Sequence, residues 1–281
     1  MIPILLGLFG AAFYFGNSEV HRFENLAAKD IRTTIRGEHA KVSVRAELNG
    51  IVGGPLGDLT KVTIRASDFE TDGVPLFTQP ELPKRGIIRD LRIELKEFTI
   101  ARLHIQELTS DIQDCRYDYA LAVSKHKIRL SKSGTGRGQV VIREKDLEAF
   151  IPRKFGEIKR VSVRVADDRV RVEGYGEFII FKANFSVVAK LVAVDGTKLA
   201  LDEAVILLDG KVADEQSRRA LLDALNPVVD LTNDLKLYDA IKVDRITLRD
   251  GVIRAAGVTK IPDQPPLPSS CADDFAGKGG D

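Results

Sequence analysis

The chain has no tryptophan, and its aromatic content is only 6%. Flat stacking platforms for bases or sugars are therefore poorly supplied. It also lacks a net field: 42 Lys and Arg stand against 41 Asp and Glu, which argues against a general binder of nucleic acid. Two cysteines, Cys115 and Cys271, are too few for a disulfide scaffold. A Cys115–Cys271 bridge is the one pairing on offer, and Cys271 lies in a tail of Pro, Ser and Gly that argues against it. The four histidines, His21, His39, His104 and His126, fall at no metal-ligand spacing. His104, on the polar side of Leu103 and Ile105, reads as a solvated strand histidine. There is no Gly-x-Ser-x-Gly elbow and no His-Glu-x-x-His pair. The glycine-rich run Ser133–Gly138 lacks the Lys-Ser/Thr ending of a phosphate loop and precedes a strand, so it reads as a flexible turn. No cofactor, no metal site and no enzymatic activity is expected.

What the chain does have is two-faced strands. Leu91, Ile93 and Leu95 alternate with Arg92, Glu94 and Lys96, the period-2 pattern of a strand with one wet face. Lys96 and Glu97, two polar residues in a row, break the parity before Phe98 and Ile100 resume it, which predicts a bulge or a bend. Leu103 and Ile105, then Tyr117, Tyr119, Leu121 and Val123, then Ile128 and Leu130, extend the same pattern. Each such strand needs something to cover its apolar face, and whether protein or ligand does so is the functional question.

Taken in order, residues 1–17 read as a membrane anchor or the remnant of a signal-anchor. Ile2–Gly16 is uncharged and mostly apolar, but spans only about 22 Å as a helix against a hydrocarbon core of about 30 Å. A domain over 18–260 follows. It opens with an amphipathic helix capped by Ser18, carrying Val20, Phe23, Leu26, Ala27, Ile31 and Ile35 on one face and ending at Gly37. Alternation predicts strands at Lys41–Leu48, Leu59–Ala66, Val140–Ile142, Phe178–Val194 and Leu199–Leu208. It also predicts hairpins across Ala166–Arg169 and Asp250–Gly251. Short helices are expected at Arg143–Phe150 and, capped by Asp214, at Asp214–Asn226. Asn226-Pro227 suggests a further helical turn carrying Val228, Val229 and Leu231. Residues 261–281 read as a disordered tail.

Three passages resemble the LmeA-type phospholipid-binding family of bacterial envelope proteins. Gly57–Phe69 is similar to its Gly-led early strand, Val140–Ile151 to its strand-then-helix segment, and Ile246–Ile253 to its closing hairpin. Arg143 stands where the family pattern has Thr, removing the helix cap that Thr would supply. The resemblance implies an α+β fold: a strongly curved antiparallel sheet wrapped around amphipathic helices, similar to the tubular lipid-binding (TULIP) architecture. It also implies a phospholipid held by its acyl chains, in the cell envelope.

On that reading the protein is a non-enzymatic phospholipid-binding or lipid-transfer protein whose partners are an acyl-chain lipid and a membrane. The apolar helix faces would line the pocket: Phe23, Leu26 and Ile31 from the first helix, and Leu221, Leu225 and Val229 from the last. Two apolar loops would form the rim through which lipid enters, with Ile51, Val52 and Leu56 in one and Val74, Leu76 and Phe77 in the other. The alternative is a structural or scaffolding envelope protein whose core is filled by its own side chains. The resemblance points outside the cytoplasmic membrane, whereas Arg22, Lys29, Arg32 and Arg36 after the apolar segment point to its cytoplasmic face.

Overall fold

The computed structural model describes residues 20–48, 57–73, 85–125, 127, 129–177 and 182–261. The expected anchor and the tail beyond Ile261 lie outside these residues. Helix α1 covers 20–34 and is followed by β1 (Lys41–Leu48), β2 (Asp58–Thr71), β3 (Gly86–Ile100) and β4 (Leu103–Tyr117). Then come α2 (Tyr119–Lys125), β5 (Leu130–Lys132), β6 (Gly136–Arg143) and α3 (Glu144–Lys154). The strands β7 (Ile158–Ala166), β8 (Arg169–Glu177), β9 (Lys182–Val194), β10 (Lys198–Leu208) and β11 (Lys211–Val212) lead to α4 (Glu215–Leu225). The chain closes with β12 (Val229–Asp230), β13 (Ile241–Arg249) and β14 (Val252–Thr259).

These form two open sheets. The first runs β1-β2-β3-β4-β6-β14-β13 with β5 on β4, and the second β11-β10-β9-β8-β7 with β12 on β10. Neighbours are antiparallel with one exception: β2 and β3 run parallel, from Asp58 beside Ile87 to Thr71 beside Ile100. The one curved sheet expected from the sequence is thus two sheets, the first holding a parallel pair.

The first sheet bends along two transverse creases. The parity break at Lys96-Glu97 is not confined to β3. In β2 the inward residues step from Ala66 to Phe69, in β3 from Leu95 to Phe98, and in β4 from Ile105 to Leu108, and these residues are register partners. The ladder skips Asp68, Glu97 and Gln106, and the first two have left-handed backbone, with φ of 59° and 45°. The same happens nearer the other end, where Leu59, Ile88 and Cys115 step to Val62, Leu91 and Ile112, skipping Thr60, Arg89 and Asp114. Each of these three strands drops one residue at the same level, so β2, β3 and β4 kink together and their mutual register is kept.

Helix α4 forms as its pattern predicts, with Asp214 Oδ1 accepting the Ser217 N–H at 2.9 Å. Helix α3 lacks a Thr cap, and Asp146 supplies the substitute by accepting from Arg143 Nε at 2.9 Å and Arg143 N at 3.4 Å. Three local expectations are corrected. Tyr119–Lys125 is helical rather than extended, because the buried Asp118 carboxylate accepts the Leu121 N–H at 2.9 Å and starts a turn, leaving Val123 exposed. Asn226 starts no helix: its side chain accepts from Leu201 N and donates to Leu201 O, and Val229–Asp230 pairs with β10 instead. The glycine run is a turn only in its first half: residues 133–135 join β5 to β6, whereas Gly136 and Gly138 lie in β6. A Cβ on Gly136 would stand 1.8 Å from the Asp111 carbonyl oxygen, so only glycine lets β6 approach β4 there.

Two hydrophobic cores result. The larger joins the second sheet, α3 and α4 to the end of the first sheet beyond Phe69 and Phe98, whose rings stack 5.1 Å apart. The smaller lies under α1 and α2, around Leu59, Leu91, Cys115 and Tyr117. Helix α1 is tied down by Glu24, which accepts the Ala46 N–H at 2.8 Å, and by Asp30, which accepts from Arg129 at 2.6 Å. Burial pushes the Cys115 thiol up to about 12, so the thiol stays protonated in this core.

Candidate functional site

Between the two cores lies an apolar cavity of about 120 Å³. Its floor is the panel of sheet between the creases: Ile64 and Ala66 of β2, Ile93 and Leu95 of β3, and Leu108, Ser110 and Ile112 of β4. Phe69, Phe98 and Ile100 extend the floor beyond the second crease. Ile31 of α1 and Ile35 just beyond it cover one side, and Leu237, Ala240, Ile241 and Ile261 the other. In the middle of the sheet one expects full burial, yet Ile93, Leu95 and Leu108 are only half-buried. The creases bend these side chains round a space that neither core fills.

The wall offers little polarity. Ser110 and Thr259 hydrogen-bond each other through their hydroxyls at 2.7 Å, and Thr71 Oγ1 donates to the Gly73 carbonyl at 2.9 Å. Lys260, at the margin, pairs with Asp239. Such a space suits hydrocarbon, since its own polar groups are already satisfied. A volume of this order accepts a small hydrocarbon, and each methylene buried contributes roughly 0.8 kcal/mol.

Of the residues assigned to a pocket from sequence, Ile31 lines this cavity. Phe23 packs on the smaller core, and Leu26 is half-buried on the same helix. Leu221, Leu225 and Val229 are all buried in the larger core. The gap there, bordered by Leu225 and Val228, holds only about 20 Å³. The rim residues Ile51, Val52, Leu56, Val74, Leu76 and Phe77 lie outside the described residues. Their attachment points are described: Gly73, just before Val74, lines the cavity, while Gly57, just after Leu56, accepts the Ile87 N–H at 2.9 Å at the far end of β2. Apolar helix faces do not point to the floor residues on β3 and β4, which lie on strands. The signal that marks them is the repeated pair of adjacent polar residues, Ser67-Asp68, Lys96-Glu97 and Gln106-Glu107.

His104 is not simply solvated. Its Nδ1 lies 3.1 Å from Asp146 and its Nε2 3.4 Å from Glu97, with Arg143 bonded to both carboxylates. The cluster pins the second crease to the start of α3. Among the described residues no group of three or more His, Cys, Asp or Glu is placed to hold a metal ion, and no helix is long and apolar enough to cross a membrane.

Comparison with curated proteins and with solved structures gives no match. A family match spans residues 72–258, taking in β3, β4, both later sequence resemblances and most of the cavity's floor and far wall, while Gly57–Phe69 lies before it. On that match, the chain belongs to the LmeA-like phospholipid-binding family.

Proposed function

We propose that the chain binds a phospholipid by burying acyl chain in the cavity between the creases, and that it carries or transfers lipid at the cell envelope without catalysing a reaction. The observation that carries this reading is the half-burial of Ile93, Leu95 and Leu108 around apolar space in mid-sheet. Family membership supports the ligand class. A full diacyl lipid needs more room than about 120 Å³, so loading would part α1 and the 237–240 segment from the sheet. We place the domain outside the cytoplasmic membrane, tethered by residues 1–17. The two apolar segments, with Ile51, Val52 and Leu56 and with Val74, Leu76 and Phe77, act as the rim; the position of Gly73 in the cavity wall supports the second of them. Helical apolar positions such as Phe23 and Leu26 would join the lining once α1 moves.

Native mass spectrometry of the purified protein should show co-purified phospholipid, or uptake of a fluorescent phospholipid from vesicles. A clean apo protein that refuses both would sink this reading. Protease accessibility in spheroplasts tests the placement, and protection of the domain would overturn it. The scaffold reading draws support from one place only, the tightly filled core around Leu221 and Leu225.

A further inference from the structure

A second, polar cleft of about 530 Å³ backs onto the same strand end. At the end of β2 and in the two residues after it, Phe69, Thr71 and Gly73 line the apolar cavity, while Glu70 and Asp72 line the cleft with Thr71 shared between the two. In β3 likewise, Phe98 and Ile100 face the cavity and Thr99 faces the cleft. The period of the strand thus sets an oily compartment and a charged one on opposite sides of a single wall.

The cleft's cations are of two kinds. Arg36 is bound to both oxygens of Asp72 at 2.5 and 2.7 Å, and Lys154 to Asp234 at 2.5 Å and to the carbonyls of Pro227 and Val228. Arg102 and Arg153 also line the cleft, are exposed, and have no hydrogen bond or ion pair among the described residues. Glu70 is the one lining carboxylate outside those two ion pairs, so the free charge of the cleft is positive. Arg102 moreover sits in the two-residue turn joining β3 and β4, where Ala101 and Arg102 take φ of 46° and 75°. That backbone usually calls for Asn-Gly, so a strained turn presents an arginine at this spot.

We propose that Arg102 and Arg153 form a phosphate subsite, which takes the phosphodiester of a phospholipid whose acyl chain lies in the cavity across the strand end. Guanidinium groups match phosphate oxygens with paired, charge-assisted hydrogen bonds. This assignment rests on the acyl-chain reading above and adds the head-group side to it.

The test uses the full chain and two lipids with the same acyl chains: phosphatidylglycerol, and diacylglycerol, which lacks the phosphate. Wild type should take up phosphatidylglycerol in preference. R102Q/R153Q should lose that preference by about tenfold while keeping its uptake of diacylglycerol. R102K/R153K, which keeps the charge but not the fork, should recover part of it. An unchanged preference in R102Q/R153Q overturns the subsite. So does binding of inorganic phosphate at these arginines with no effect of the variant on phospholipid, which would assign the cleft to a free anion. If wild type takes up neither lipid, the acyl-chain reading itself has failed, and the subsite falls with it.

Discussion

Ser110 and Thr259 meet hydroxyl to hydroxyl at 2.7 Å over the backbone of Gly138, which separates their strands. A Cβ on Gly138 would stand 2.5 Å from Thr259 Cγ2, so glycine in β6 is what lets the two side chains join in the cavity wall. Ser110→Ala strands the Thr259 hydroxyl in an apolar wall and should cost about 1–3 kcal/mol in urea denaturation. The double change Ser110→Ala with Thr259→Val removes both partners and should return stability to near wild type. Equal losses for the single and the double variant would show that the pair contributes nothing of its own.

Leu108→Phe separates ligand binding from scaffolding. Leu108 is half-buried against open space, so the larger ring should fill the cavity with stability held or raised by about 1 kcal/mol, and bound lipid should fall in native mass spectrometry. In a core with no usable space, the same change would overpack and destabilise by about 1–3 kcal/mol with no lipid to lose.

Acid should weaken the protein partly through Glu94. Arg65 and Arg92 each donate to it at 2.6 Å, and these hydrogen bonds, Arg65's first, hold its carboxyl below the usual glutamate range. The stabilisation is complete above the unfolded glutamate value of about 4.3 and is lost as pH falls through the lower folded value. Both arginines are half-exposed, so Glu94→Gln should cost about 1 kcal/mol or less at neutral pH. Urea midpoints of wild type and variant should converge in acid, and a gap that persists there would refute the assignment.

The rim is tested by Leu56→Asp combined with Phe77→Asp. If these segments admit lipid, transfer between vesicles should drop while thermal stability stays nearly unchanged. If they plug the core instead, the buried charges should cost about 3 kcal/mol or more, and transfer per folded molecule should persist.

Much of the architecture is legible in the sequence because strands with one wet face advertise themselves. The hairpins over Asp167-Asp168 and Asp250-Gly251 and the Asp214 cap stand where local chemistry puts them. What is not legible depends on partners distant in sequence. Nothing local tells that β3 pairs in parallel with β2, or that the chain divides into two sheets. The period-2 reading failed at Tyr119–Val123 because a short helix starting at Asp118 can carry the same alternation. The cavity is hidden from the sequence for a related reason. A parity break in one strand looks like a local defect, and only the register shows that Asp68, Glu97 and Gln106 stand in one line.

That line has a consequence for how the protein tolerates lost residues. Removing Glu97 alone would throw Phe98 and Ile100 onto the wrong face of β3 relative to both neighbours. Removing Asp68, Glu97 and Gln106 together leaves every remaining pair in step and merely straightens the trough. The triple deletion should therefore unfold at a higher urea concentration than the single one, while holding less lipid. Curvature here is a collective property of three chain segments, and it can change only if all three change at once.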